Sequence, residues 1–73
     1  MNVFFAILGM FGEGKSKKEI MQELLEDGFS KNFAKPAIEA AQAMISGDEA
    51  RAEKYKKKTL EAIRKSKNTG GKP

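Results

Sequence analysis

The sequence predicts an all-α fold, a small bundle of three to four short helices. A helix-start signal, Ser16 followed by Glu19, and a helix-stop glycine, Gly28, bracket one segment with helical spacing of its apolar residues. Asp48 is a good N-cap for another helix. After Ser16 no run of residues shows the alternation or the compact apolar block expected of a strand.

Length and composition limit both the size of the domain and its chemistry. The chain has 73 residues, which is one domain, and such a chain buries only about 60% of its unfolded surface. It has no cysteine and no histidine, so disulfides, thiolate or imidazole metal sites and the usual general base are missing. We therefore expect a non-enzymatic protein without cofactor or metal, stabilised by a protein partner or as a homo-oligomer.

The first segment, Val3–Phe11, is apolar throughout. Its nine residues fall short of the ~20 needed to span a bilayer. It lacks the basic residues and the cleavage site of a signal peptide, so we expect no membrane span and a cytoplasmic location. Periodicity alone leaves open whether it is a buried helix or a strand.

The second segment is the best-marked helix, from Lys17 to about Asp27. Ser16 and Glu19 form a capping box at its start. Gly28 favours the left-handed conformation that closes a helix, and Phe29 follows where a Schellman ending places an apolar contact.

Proline governs the prediction for the third segment. Because proline is tolerated at the first helical position and costs about 3 kcal/mol in a helix interior, we expect a loose turn over 30–35. A helix then follows from Pro36 to about Ile45, rich in alanines that allow close approach of a neighbour, and Gly47 ends it.

The fourth helix is predicted from Asp48 to about Lys65, and residues 68–73 are expected to form a disordered tail after a single helical domain of residues 1–67.

Charge divides unevenly along the chain. Residues 1–53 hold six Lys/Arg and nine Asp/Glu, a net of −3, and residues 54–73 hold eight Lys/Arg and one Glu, a net of +7. This pattern is typical of a basic arm on a mildly acidic body.

The segment Gly9–Ser16 fits the pattern G-x-x-x-x-G-K-[ST], and over these eight residues it resembles P-loop nucleotide hydrolases and kinases. The resemblance implies a phosphate held by Gly12, Gly14, Lys15 and Ser16. The alternative is that the glycines connect two helices, that Ser16 is only an N-cap and that Lys15 is a solvated charge. This alternative is favoured because the chain lacks the other strands and the second magnesium ligand of that fold.

Two further groups of residues are candidate binding surfaces. An apolar cluster near the N-terminus either completes the core or forms a partner interface: Phe4, Phe5, Leu8, Met10 and Phe11. A basic stretch is either a solvated helix face or a contact for a nucleic-acid backbone: Lys54, Lys57, Lys58, Arg64 and Lys65.

The sequence therefore predicts a small interaction protein that is a subunit or modulator of a larger protein complex, with self-association as an option. A nucleic-acid-associated protein and a phosphate or nucleotide binder are the alternatives. The predicted core consists of these residues: Phe4, Ile7, Leu8, Leu24, Leu25, Phe29, Ile38, Met44, Ile45 and Leu60.

Overall fold

A computed structural model describes residues 3–71 of the chain, with side chains for residues 3–64. These residues form four α-helices and no strand. The helices are α1 (Val3–Gly12), α2 (Lys17–Glu26), α3 (Lys31–Ser46) and α4 (Glu49–Gly71). The predicted all-α class is confirmed, and the apolar first segment is a helix.

The end of α2 has the predicted Schellman geometry. Gly28 has a φ of 98°, in the left-handed region. The Phe29 amide donates to the Leu24 carbonyl at 3.0 Å, and the Gly28 amide donates to the Leu25 carbonyl at 3.1 Å. These two bonds satisfy carbonyl groups that the end of a helix leaves without an intrahelical partner.

Two other glycines close their helices in the same way. Gly14 and Gly47 have φ values of 88° and 77°. The Lys15 amide donates to the Met10 carbonyl at 3.1 Å, and the amide after Gly47 donates to the Ala43 carbonyl at 2.9 Å. The first three helices therefore end in one local geometry, and each connection to the next helix is short.

The third helix begins earlier than predicted. It starts at Lys31, with Ser30 as its N-cap and Pro36 inside it, so the expected loose turn over 30–35 is wrong. Pro36 removes only the bond to the carbonyl of Asn32, which is an exposed residue of the first turn. In return, helix over these residues buries Phe33 and Ala34 completely or nearly so. Burial outweighs the local cost of the proline.

Helix α4 begins as predicted, because the Asp48 carboxylate accepts from the Arg51 amide at 3.1 Å. It continues to Gly71, past the end expected near Lys65 and through part of the predicted tail. No residue between Lys65 and Gly70 is a strong helix breaker. The last two residues of the predicted tail lie outside the described residues.

Helix α3 is the centre of the bundle. It packs against α1, α2 and α4, whereas α4 packs only on α3 among the described residues. Five of its alanines are at most 1% exposed: Ala34, Ala37, Ala40, Ala41 and Ala43. Side chains this small let neighbouring helices lie close on more than one side of α3.

The main core lies between α1, α2 and α3. Its buried members are joined by half-buried residues of α1 and α2. The buried cluster consists of these residues: Ile7, Ile20, Leu24, Ala34, Ala37, Ile38 and Ala41. The half-buried residues packed against it are these: Val3, Phe4, Leu8, Met10, Phe11 and Met21.

Half of the predicted core is exposed instead. Five residues expected inside are 39–59% exposed: Leu25, Phe29, Met44, Ile45 and Leu60. For Leu60 the reason is that α4 has one neighbour among the described residues, so the buried stripe of α4 is narrow. On that stripe Thr59 is fully buried in place of Leu60, and its hydroxyl donates to the Tyr55 carbonyl at 2.8 Å.

One carboxylate ties three helices together. Glu39 of α3 accepts from Lys17 of α2 and from Arg51 of α4, both at 2.9 Å. The Glu39 side chain is 20% exposed, so water screens these pairs only in part. None of the helices in the described part of the chain is long and apolar enough to cross a membrane.

We expect Ala40→Leu to lower the free energy of unfolding by about 1–3 kcal/mol, because a larger side chain does not fit the close helix contact. Ala50→Leu is the matched control. Ala50 is exposed on α4, so the same change there should stay within about 0.5 kcal/mol. Urea unfolding followed by circular dichroism measures both, and equal effects would mean that α3 is not tightly packed at Ala40.

Candidate functional site

The phosphate-loop-like segment Gly9–Ser16 spans the end of α1 and the N-cap of α2. The amide groups of residues 13–16 all donate within the chain. Their acceptors are three carbonyls near the end of α1 and one carboxylate of α2: Gly9, Phe11, Met10 and Glu19. In this structure, none of these four amides points to an open phosphate cradle.

The side chains of this segment are also engaged. The Ser16 hydroxyl accepts from the Glu19 amide at 3.2 Å, and the Glu19 carboxylate accepts from the Ser16 amide at 2.9 Å. Hydrogen bonding from the Ser16 amide lowers the pKa of Glu19. The Lys15 ammonium forms an ion pair with Glu23, and that hydrogen bond raises the pKa of Lys15. These are the contacts of a helix–helix connection.

The same short pattern, a glycine followed two residues later by a serine, occurs a second time outside the phosphate-loop-like segment. Gly28 is followed by Phe29 and Ser30, as Gly14 is followed by Lys15 and Ser16. In both cases the glycine is left-handed and the serine hydroxyl caps the next helix. Phosphate binding at Gly12, Gly14, Lys15 and Ser16 stays a prediction, and it requires these bonds to open.

The basic stretch of α4 is largely solvent-facing. Lys54, Lys57, Lys58 and Arg64 are exposed, and the Lys65 side chain lies outside the described residues. None of these four exposed cations forms an ion pair with another described residue. The Lys58 ammonium lies 5.5 Å from the centre of the Tyr55 ring. Glu53 and Glu61 interrupt the positive face.

The N-terminal apolar cluster is divided between core and surface. Phe4, Leu8, Met10 and Phe11 pack against the main core, as the core interpretation expects. Phe5 is different, because the residue is 71% exposed to solvent. Only one of the five predicted interface residues is therefore strongly available to a partner in this conformation.

An apolar surface that the sequence alone does not reveal lies at the far end of the α3–α4 hairpin. Leu60 and Ile63 are 59% and 40% exposed on α4. Counted from the turn at Gly47, Ile63 is about as far along α4 as Phe33 is along α3. The ring of Phe33 stacks with that of Phe29 at a centroid distance of 5.1 Å. We call Phe29, Leu60 and Ile63 the apolar edge. Helical spacing alone could not identify it, since two of the three residues were expected in the core.

Within the described side chains no group of three acidic residues converges as a metal site would require. Comparison of the chain with models of protein families, with curated proteins and with solved structures finds no match.

Gly12→Ala and Gly14→Ala should change stability in opposite directions. Gly14 has a positive φ, so a Cβ there should cost about 1 kcal/mol. Gly12 is helical with nothing within 4 Å of an added Cβ, so alanine should gain about 0.5–1 kcal/mol. Urea unfolding of both variants measures this. A loss of the same size at both positions would contradict the helix-ending geometry at Gly14.

Proposed function

We propose that this protein is a small non-enzymatic interaction module that binds another protein, or a second copy of itself, through apolar side chains outside its core. The observation that carries the proposal is the exposure of large apolar residues on so small a chain. The most exposed are Phe5, Leu60 and Ile45, at 71%, 59% and 57%. Burying them would add the stability that a thin core lacks.

The composition supports a binding role in place of catalysis. The chain has no histidine and no cysteine, the residues that most often act as base or nucleophile near neutral pH. The pKa shifts of Lys15 and Glu19 follow from a helix cap and an ion pair, both at the surface. A cytoplasmic location belongs to the same proposal, because a chain without cysteine is compatible with a reducing compartment.

The apolar edge is the surface we assign to the partner. Two of its residues lie on α4, whose only neighbour among the described residues is α3, so this side of α4 is accessible. The aromatic pair of Phe29 and Phe33 extends the same end of the hairpin. Aromatic and aliphatic side chains grouped in this way supply most of the binding energy in many protein interfaces.

We expect the double variant Leu60→Ser, Ile63→Ser to lose protein binding while it keeps its fold. Leu60 is 59% and Ile63 40% exposed, so we expect a loss of stability of about 0.5 kcal/mol at the first site and about 1 kcal/mol at the second. The measurements are light scattering over a range of concentrations, binding of an apolar fluorescent dye, and co-purification of partners with the tagged full chain.

The matched control is Leu25→Ser, a similarly exposed leucine on α2. The proposal predicts that only the double variant loses self-association or partner capture. A wild-type protein that stays monomeric, binds no dye and captures no protein would contradict the proposal. Equal losses in the control variant would remove the apolar edge as the site.

A second candidate function is binding to a nucleic-acid backbone through α4. It is favoured by the exposure of Lys54, Lys57, Lys58 and Arg64 on one helix, none of them in an ion pair with a described residue. Cations in such a row displace counterions from phosphates. Tyr55, half-buried under Lys58, does not offer a free ring for base stacking.

Salt dependence tests this second function. If α4 binds the backbone, affinity for a short DNA duplex should fall steeply between low and high salt, and replacing Lys54, Lys57 and Lys58 by alanine should reduce the log–log slope by up to about 3. Fluorescence anisotropy measures the slope. The control replaces Lys18, Lys31 and Lys35 by alanine. A weak salt dependence, or equal changes in the two triple variants, would exclude α4 as the contact.

A further inference from the structure

A groove between α2 and α3 is lined by several lysines and has an apolar floor. It has a volume of about 280 Å³. Four lysines line it, two from the start of α2 and two from the first half of α3: Lys17, Lys18, Lys31 and Lys35. Met21 and Ile38 form the floor. The lysines are far apart in sequence, so only the tertiary structure brings them together.

Most of this charge is not neutralised within the protein. Glu39 is the one acidic residue that lines the groove, and it already accepts from Lys17 and from Arg51. In the described part of the chain, Lys18, Lys31 and Lys35 form no ion pair. The groove therefore has an excess of cations that an anionic ligand would complement.

The local helix geometry makes this excess unfavourable for the protein alone. Lys17 and Lys18 are the first two residues of α2, and Lys31 is the first residue of α3. The start of a helix carries partial positive charge, and cations there destabilise the helix. Lys18 and Lys31 are therefore not explained by helix stability, and both become favourable once an anion occupies the groove.

We propose that the groove binds an acidic segment of a partner protein, in which one apolar side chain is flanked by carboxylates. The apolar side chain would lie on Met21 and Ile38, and the carboxylates would meet the lysines. The apolar floor favours such a segment over a bare phosphate, which would gain nothing from it. The volume is slightly below the ~300–1,000 Å³ of small-molecule sites and fits one or two side chains.

This inference rests on the proposed function, since it assumes that the module binds protein, but it concerns a different surface. The apolar edge consists of two residues of α4 and of Phe29 before α3, whereas the groove is lined by residues of α2 and α3. The two surfaces can therefore be tested separately on the full chain.

The probe is a fluorescein-labelled peptide with one leucine flanked on each side by two glutamates. We expect it to bind at low salt and to bind roughly 3- to 10-fold more weakly to the double variant Lys31→Ala, Lys35→Ala. The double variant Lys54→Ala, Lys57→Ala removes the same charge from α4, and its affinity should change less than twofold. A peptide with serine in place of leucine should bind more weakly to the wild-type protein.

Unfolding cannot mimic the expected loss. The two lysines replaced in the groove variant, Lys31 and Lys35, are both exposed. Removing Lys31 from the first turn of α3 should leave that helix as stable or more stable. An NMR titration of the wild-type protein should shift the signals of Met21 and Ile38. Circular dichroism of both double variants checks that the helical content is unchanged.

Any one of the following results would overturn the inference. The peptide does not bind, or the two double variants weaken it equally, or the serine peptide binds as well as the leucine peptide. A dimer that the groove variant dissociates would assign the groove to a second copy and would also contradict the inference. If peptide binding fails while the apolar edge still captures protein, only the groove assignment falls; the reverse result removes only the apolar edge.

Discussion

The architecture depends on the close packing of α3 against its neighbours. Its five buried alanines present almost no side-chain volume, so helices can approach α3 from more than one side. The sixteen residues of α3 thus hold together α1, α2 and α4, which among the described residues have few or no contacts with one another. The carboxylate of Glu39 reinforces the arrangement, because it holds a lysine of α2 and an arginine of α4. Such ion pairs at a partly exposed site add modestly to what packing provides.

The same constraint explains why so much apolar surface stays outside. A central helix with small side chains gives its neighbours little to cover, so each outer helix buries a narrow stripe. On α4 that stripe runs through Ala52 and Thr59, and Leu60 and Ile63 lie beside it. On α1 it takes in Ile7 and leaves Phe5 in water. These exposed side chains are the feature on which the proposed partner binding rests.

The phosphate-loop pattern illustrates how one sequence can satisfy two physical requirements. A phosphate cradle needs glycines with unusual backbone angles and a helix start, and so does a short connection between two helices. Gly14 and Ser16 satisfy the second requirement here, with the lysine between them paired to Glu23. The recurrence of glycine, one residue and serine at Gly28–Ser30, with the same geometry, supports this interpretation.

Local chemistry in the sequence determined the helical class, the capping box at Ser16, the ending at Gly28 and the start of α4 at Asp48, because each depends on residues within a turn of one another. Tertiary structure decided the rest. Burial of Phe33 and Ala34 started α3 before its proline, which local propensity opposed. Which face of each helix has a neighbour decided that Thr59 is inside and Leu60 outside. The lysine groove forms only when α2 packs against α3, since residues 17 and 35 are distant in the sequence and become neighbours only in the folded chain.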